Sequence, residues 1–127
     1  MSSGYRQSMP SAKIAPRIRI LHGKVVALGP GKADLLALIS ETGSITSAAK
    51  RLKMSYMRAW QLVQVMNDCF HEPLVRTERG GAQKGGATLT ECGERVLQLY
   101  REMEDESLQA IRSHWETIRR LLVAGPS

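Results

Sequence analysis

Between residues 55 and 64, the sequence spaces its hydrogen-bonding side chains so that they would share one face of an α-helix. Guanidinium and amide groups can each form two parallel hydrogen bonds with a base edge, and the major groove of B-DNA is wide enough to admit a helix. The pattern therefore predicts a helix that reads DNA sequence. Its predicted contact residues are Ser55, Tyr56, Met57, Arg58, Gln61 and Gln64.

The opposite side of this segment is apolar, and a second apolar stripe precedes it in the chain. Both stripes follow the 3.6-residue period of an α-helix, so each predicts a helix with one packed side. Lys53 and Met54 separate the helices as a tight turn, and Ser55 stands where an N-cap would accept a backbone N–H. Helices 45–52 and 56–67 thus predict a helix-turn-helix. The stripe residues are Ile45, Ala48, Ala49 and Leu52, and then Ala59, Leu62, Val63, Met66 and Phe70.

Trp60 lies one residue away from the second stripe. Large aromatic side chains usually add to the core of a small domain, so we expect Trp60 to pack inward. Stacking at the edge of DNA is the alternative.

The N-terminal part of the chain predicts a tail and a β-hairpin. Residues 1–16 contain serine, glycine and proline with little periodic apolar content, which is typical of a flexible tail. Residues 17–21 alternate basic and apolar side chains, and residues 24–28 form a β-branched run after the turn at His22 and Gly23.

A third helix is predicted between this hairpin and the helix pair. The segment Gly-Pro-Gly at 29–31 breaks the strand pattern, and residues 32–42 then place leucine and isoleucine on one helical face. Gly43 is a suitable residue to end that helix. The three helices would form the core of the domain.

A second hairpin is predicted after the helix pair, with strands 74–77 and 87–89 joined by a loop rich in glycine and cations. Glycines let a backbone approach DNA closely, and cations neutralise phosphate, as in the wing of a winged helix-turn-helix. A nucleotide cradle is the alternative, but the loop has no GxxxxGK[ST] motif and no surrounding βαβ unit. The supporting and wing residues predicted to contact DNA are Ser44, Thr46, Lys50, Lys53, Arg76, Arg79, Gly80, Gly81, Lys84, Gly85 and Gly86.

The C-terminal part of the chain predicts one long helix over residues 91–123, capped by Thr90. An apolar stripe with spacings of three and four is typical of a seam between two helices, and it predicts a homodimer. The alternatives are a helix that folds back on its own domain and two helices that break near Asp105. The predicted dimerisation residues are Leu108, Ile111, Trp115, Ile118 and Leu122.

The positive charge is concentrated in one part of the chain. Residues 1–90 contain 13 Lys and Arg against 5 Asp and Glu, whereas residues 91–127 contain 5 against 7. A positive field around the predicted helix-turn-helix is the expected footprint of a surface that binds phosphate. The expected partner is therefore double-stranded DNA.

The composition disfavours other classes of protein. Two cysteines make no disulfide framework, and no apolar run fits a signal peptide or a membrane span, so we expect a cytoplasmic protein without membrane association. His22, His71 and His114 have no partners at the spacing of a metal site or a catalytic triad. We expect neither an enzyme nor a metal site.

Five short motifs occur together in this chain: Gly-Ser-Ile-Thr-Ser-Ala-Ala-Lys at 43–50, Met-Ser-Tyr-Met-Arg-Ala-Trp at 54–60, Leu-Val-Arg-Thr at 74–77, the glycine-rich loop at 79–86 and Leu-Thr-Glu-Cys-Gly at 89–93. On these motifs, the chain from about residue 17 to residue 100 resembles the N-terminal DNA-binding domain of the ModE family. These are molybdate-responsive transcriptional regulators, related to the LysR-type winged helix-turn-helix proteins.

The resemblance implies a mainly α (α+β) winged helix-turn-helix domain over 17–90 and a dimerisation helix over 91–123. It implies a homodimeric DNA-binding transcriptional regulator, with residues 55–61 in the major groove and the wing on flanking DNA. Repression is the expected effect, and a link to molybdate transport or molybdenum metabolism follows from the family.

No strand-rich segment follows Val123, so we expect this chain to have no C-terminal molybdate-binding domain and to hold no cofactor. The residues assign no small-molecule effector. The alternative function is a winged-helix module that binds proteins without sequence-specific DNA binding, and it predicts an apolar or acidic exposed face over residues 55–64.

Overall fold

The computed structural model describes residues 12–78 and 86–124, which form helices and two small antiparallel sheets. Two compact units result, one of Arg17–Met103 and one of Met1–Pro16 with Glu104–Ser127. The predicted mainly helical α+β fold is confirmed, whereas most of the predicted N-terminal tail lies outside the described residues. The elements are β1 (Ile20–His22), β2 (Val25–Leu28), α1 (Pro30–Thr42), α2 (Ile45–Arg51), α3 (Tyr56–Cys69), β3 (Val75–Thr77), β4 (Ala87–Leu89), α4 (Glu91–Ala110) and α5 (Arg112–Leu121).

The core of the first unit lies among α1, α2 and α3, with contributions from the strands and from α4. Small residues allow the helices to approach closely, since Ala48 and Ala49 of α2 and Ala59 of α3 are all buried. The two predicted apolar stripes are confirmed. The large, fully buried side chains of the core are Leu28, Leu35, Leu36, Ile39, Val63, Met66, Leu74 and Tyr100.

Helix α1 begins at Pro30, two residues earlier than the sequence predicted. Proline suits the first turn of a helix because its missing N–H would have no partner there and its φ is already helical. The predicted end is confirmed, since Gly43 has φ 74° and donates its N–H to Ile39 O at 2.8 Å. A residue with a Cβ would be strained in this left-handed conformation.

The N-terminal hairpin is shorter than predicted. Only Ile20–His22 of the first segment forms a strand, and the register shifts between Ile20 and Leu21, where the pairing with β2 is irregular. Residues 17–19 precede the strand without pairing. In the second hairpin, β3 and β4 pair in the predicted antiparallel way, with Val75 opposite Leu89.

Hydrogen bonds attach helix α4 to the rest of the domain at two places, the cap residue Thr90 and Tyr100. Thr90 is the predicted cap: its Oγ1 accepts the N–H of Gly93 at 2.9 Å and donates to Pro73 O at 2.7 Å. Gly93 lies against the Leu74 backbone so closely that a Cβ would overlap it. Two turns after Gly93, the buried Tyr100 donates its hydroxyl to Ile18 O at 2.6 Å.

The prediction of one helix over 91–123 is wrong, because the helix is interrupted at Ile111 (φ −101°, ψ 6°) and α5 ends at Leu121. The alternative break near Asp105 is also wrong, since this residue lies within α4. Ser107 Oγ donates to Glu104 O at 2.9 Å, a local bond of the kind that bends helices. Leu122, predicted as part of the helical stripe, is instead an extended residue that follows α5.

Candidate nucleic-acid interface

Helix α3 exposes one face and buries the other, as its sequence predicted. Ala59, Val63 and Met66 are buried against the core. Ser55, Tyr56, Met57, Arg58 and Gln61 are exposed, whereas Gln64 is half-buried. The predicted front of the helix therefore presents hydroxyl, guanidinium and amide groups over its first two turns, and Gln64 extends this face only in part.

The start of α3 is fixed by its cap. Ser55 has an extended backbone, and its Oγ accepts the N–H of Arg58 at 3.0 Å. This bond satisfies a backbone donor that the helix leaves without a partner. The predicted cap is confirmed. The Arg58 side chain is exposed, and it forms no ion pair with the residues that the structure describes.

The turn between α2 and α3 contains a strained lysine. Lys53 has φ 59°. Among the described residues, no other residue apart from glycine has a positive φ. Its N–H bonds to Lys50 O at 3.1 Å, and the N–H of Met54 bonds to Ala49 O at 3.0 Å. These two bonds form a Schellman motif, in which glycine is the usual residue at the left-handed position. The turn thus keeps an exposed cation where the backbone favours glycine.

The supporting residues on α2 divide into two groups. Thr46 and Lys50 are exposed, as expected of groups that contact a phosphate backbone. Ser44 is half-buried, and its Oγ caps α2 by accepting the N–H of Ser47 at 3.0 Å. Arg51 is also exposed, at 3.4 Å from the Glu41 carboxylate. An exposed ion pair of this length is weak, so Arg51 can exchange its partner for a phosphate group.

The wing is described only at its base. Arg76 in β3 is exposed, and Glu78 N donates to Gly86 O at 2.9 Å where the loop closes. Gly86 lies close to the end of α1, because a Cβ on it would be 3.3 Å from Gly43 O. The remaining predicted wing residues lie outside the described part of the chain. They are Arg79, Gly80, Gly81, Lys84 and Gly85.

Asn67 joins the end of α3 to the start of β3, a role that the sequence analysis missed. Its Oδ1 accepts the N–H groups of Leu74 at 2.8 Å and Val75 at 3.1 Å, and its Nδ2 donates to Val75 O at 3.2 Å. One side chain thereby positions β3 relative to α3. Its amide uses both an acceptor and a donor, so neither aspartate nor leucine can replace it.

The expected inward packing of Trp60 is wrong, because 39% of its surface is exposed. Ala59 and Val63 already fill the space between α3 and the neighbouring helices. A helix turns by about 100° per residue, so position 60 is rotated away from the buried face at position 59. Trp60 therefore lies on the outward side of α3, together with Met57.

The described residues contain no cluster of three or more His, Cys, Asp or Glu side chains that could hold a metal ion. None of the described helices is long and apolar enough to span a membrane.

Comparison with known proteins identifies the family of the helix-turn-helix segment. Residues 32–94, from α1 to the first turn of α4, match the family "Bacterial regulatory helix-turn-helix protein, lysR family". These residues form a helix-turn-helix domain of the lysR family. The match includes the α2–α3 pair, the wing strands and Thr90, so the site described above lies within it.

Three named relatives are similar to part of this chain. The chain is 41% identical over 85 residues to the "Molybdenum transport protein ModE" of Azotobacter vinelandii, which covers 67% of this chain and 32% of that protein. It is 42% identical over 77 residues to the "Molybdenum-pterin-binding protein MopB" of Rhodobacter capsulatus, covering 61% of this chain and 28% of that protein. It is 41% identical over 71 residues to the "DNA-binding transcriptional dual regulator ModE" of Escherichia coli K12, covering 56% and 27%.

The matched helix-turn-helix domain is of the ModE type, as its motifs predicted. The chain spans about a third or less of the length of these relatives. Among solved structures, Lactococcus lactis ZitR (E41A mutant) is similar with a TM-score of 0.52 and 15% identity, over 95% of this chain and 82% of that one. At this identity, the similarity concerns the fold alone.

Proposed function

We propose that the protein is a sequence-specific DNA-binding transcriptional regulator that inserts the front of α3 into the major groove. The observation that carries this proposal is the exposure of Arg58 and Gln61 on a helix whose opposite face is packed within a lysR-family domain. Both side chains can form paired hydrogen bonds with base edges. Ser55 and Tyr56 lie at the leading end of the same face, where hydroxyl groups can contact phosphate.

The cations around the helix pair would hold the DNA backbone. Lys50 and Lys53 are exposed beside the turn, and Arg76 is exposed at the base of the wing. We assign the same role to the loop residues Arg79 and Lys84 on the sequence pattern alone. Contacts of this kind set affinity and orientation, whereas base contacts set sequence preference.

A test of the base-reading role compares Arg58→Ala with Lys50→Ala on a duplex selected from random DNA and on its scrambled control. We expect Arg58→Ala to weaken binding to the selected duplex by roughly 1–3 kcal/mol and to relax preference at one base position. Lys50→Ala should weaken both duplexes about equally. An equal loss on both duplexes for Arg58→Ala would restrict Arg58 to phosphate contact.

We further propose that the regulator is a homodimer formed through α5 and the end of α4. Ile111 and Ile118 are exposed, Leu121 follows Ile118 by three residues at the end of α5, and Leu122 is exposed directly after the helix. With 52% of Ile118 exposed, this stripe is apolar surface that pairing with a second copy would remove from water. Dimeric helix-turn-helix proteins bind half-sites about 34–36 Å apart, so we expect a pseudo-palindromic operator.

Sedimentation tests the dimer. Ile118→Glu with Leu121→Glu places two charges in the apolar stripe and should yield monomers that bind the operator much more weakly. Ser113→Glu with Thr117→Glu adds the same charges at exposed polar positions of α5 and should remain dimeric. A wild-type monomer at micromolar concentration would contradict the proposal.

Repression of genes for molybdate transport or molybdenum metabolism is the proposed biological role. The support is the similarity to proteins named for molybdenum transport and for molybdenum-pterin binding. Sequencing of genomic fragments bound by the protein, with and without added molybdate, would identify the regulated genes. A promoter fusion for the strongest fragment should increase in expression when the protein is deleted, and a decrease would instead indicate activation.

The alternative is a protein-interaction module, and the exposure of Tyr56, Met57 and Trp60 on α3 favours it. Tyr56, Met57 and Trp60 are 48%, 58% and 39% exposed and lie close together on α3, and a contiguous apolar patch of this kind is typical of a surface that a partner covers. In the DNA-binding function, these side chains would instead contact thymine methyl groups and sugars. Met57→Gln separates the two, since loss of preference at a thymine position supports DNA contact, whereas unchanged DNA binding supports a protein partner.

A further inference from the structure

A cationic pocket opens beside the recognition helix. Its volume is about 380 Å³. Its walls come from the segment before β1, from β2, from the start of α1, from the α2–α3 turn and from the first two turns of α3. Four of its lining residues are cations: Arg17, Arg19, Lys32 and Arg58. We call this cavity the hairpin pocket. Only Arg58 belongs to the predicted DNA-contact residues, so the other three cations have no assigned role.

No carboxylate among the described residues pairs with the cations of the hairpin pocket. The lining of the hairpin pocket contains no aspartate or glutamate. Burial lowers the pKa of Lys32, and the neighbouring Arg58 and Arg19 lower this pKa further, against an opposing effect of Cys69. Mutual repulsion among cations that face one cavity is relieved when an anion enters it.

The shape of the hairpin pocket suits a small oxyanion. Gly29 lies under the stem of Arg19, because a Cβ on this glycine would be 3.5 Å from Arg19 Cγ. The stem of Arg19 thus lies against the residue that precedes α1, and Arg19 and Lys32 both line the hairpin pocket. Met54 and Leu62 form an apolar wall on the other side, which limits the water that competes for the bound group.

We propose that the hairpin pocket binds one phosphate group of the DNA backbone, next to the stretch that α3 reads. This proposal rests on the DNA binding proposed above. Arg58 connects the two surfaces, since it is exposed on the front of α3 and also lines the hairpin pocket. DNA that contacts Arg58 therefore brings its backbone close to Arg19 and Lys32. A free inorganic anion is the other source of the same chemistry.

The test is the salt dependence of affinity for the selected duplex. Each phosphate contact contributes about 0.9 to the slope of log K against log salt. If Arg19 and Lys32 hold the same phosphate, Arg19→Gln with Lys32→Gln should reduce the slope by about 0.9, and not by about twice that value. The slope reductions of the two single variants should add up to more than the reduction of the double variant. Either single replacement already disrupts the one phosphate contact that both residues share.

Two variants serve as matched controls. Lys24→Gln removes an exposed lysine from the β1–β2 turn, and Arg112→Gln removes an exposed arginine from α5. Neither residue lines the hairpin pocket. Both variants should keep the wild-type salt slope. All variants should melt at no lower temperature than the wild-type protein, because each replacement only removes a positive charge from a group of cations or from the surface.

A double variant with the wild-type slope would overturn the proposal, and so would a loss of about two contacts, which would indicate separate phosphates. Wild-type protein that prefers no DNA sequence would instead overturn the proposed function. A second measurement distinguishes the source of the anion: backbone amide NMR of free protein titrated with inorganic phosphate. We expect chemical-shift changes at Gly31 and Lys32 that report weak binding, with a dissociation constant in the millimolar range. Micromolar affinity together with an unchanged DNA slope in the double variant would assign the hairpin pocket to a free anion and overturn the proposal.

Discussion

Replacing Lys53 with glycine should make the fold more stable and DNA binding weaker. Lys53 has φ 59° at the left-handed position of the turn between α2 and α3. Its side chain is exposed, and the described residues offer it no ion pair. Because the backbone of this position favours glycine, the lysine imposes a cost on the fold that its side chain must offset by another role.

The magnitude follows from two opposing terms. The left-handed conformation costs a residue with a Cβ about 1–2 kcal/mol, and glycine removes this cost. Glycine also gains freedom in the unfolded chain, which costs about 0.4–1 kcal/mol. At the middle of both ranges, the net gain in the free energy of unfolding is about 0.8 kcal/mol, or a rise in Tm of about 3–6 °C. Loss of one phosphate contact should weaken DNA binding by about three- to tenfold near 0.15 M salt.

Lys53→Ala is the matched control, because it removes the same charge and keeps the strained Cβ. Thermal unfolding should show a higher Tm for Lys53→Gly and a nearly unchanged Tm for Lys53→Ala. Fluorescence anisotropy with a labelled duplex should show the same loss of affinity for both variants. Equal Tm values for the two variants would refute the strain argument, and wild-type affinity in both would remove Lys53 from the DNA contacts.

Two further substitutions test how the domain is held together. Gly93→Ala should lower the free energy of unfolding by at least ~2 kcal/mol, because its Cβ would overlap the Leu74 backbone; Gly31→Ala is the control, where a Cβ meets nothing within 4 Å. Equal stability of the two variants would contradict the packing. Asn67→Ala should cost about 2–4 kcal/mol and speed hydrogen exchange at Leu74 and Val75, because two N–H groups and a carbonyl lose their partner. Unchanged exchange, as expected for Asp68→Ala, would contradict the role of Asn67.

Local patterns predicted the helix-turn-helix well. The stripes through Ala48 and Val63 correctly predicted the buried faces, because burial of a helix repeats with its own period. Gly43, Ser55 and Thr90 correctly marked helix ends, since each acts through a bond to a residue within four positions. The motifs of these segments also predicted a ModE-type domain related to the lysR family, which the match over residues 32–94 and the similarity to ModE proteins confirmed.

Features that join distant segments were not predictable in the same way. Asn67 forms hydrogen bonds with residues across a turn, and Tyr100 forms one with Ile18, which is 82 positions away. Local residue spacing therefore predicts neither contact. The interruption at Ile111 has no glycine or proline beside it. The hairpin pocket likewise gathers cations from the segment before β1, from α1 and from α3, which only the tertiary fold brings together.

The most direct test of the central claim is the ratio of two dissociation constants at one salt concentration. One is measured on the duplex selected from random DNA, and the other on a scrambled duplex of the same composition. Sequence-specific regulators bind their sites at least about 10³-fold more tightly than other DNA. We predict a ratio of this size for the wild-type protein. A ratio near one would contradict the claim that the front of α3 reads DNA sequence.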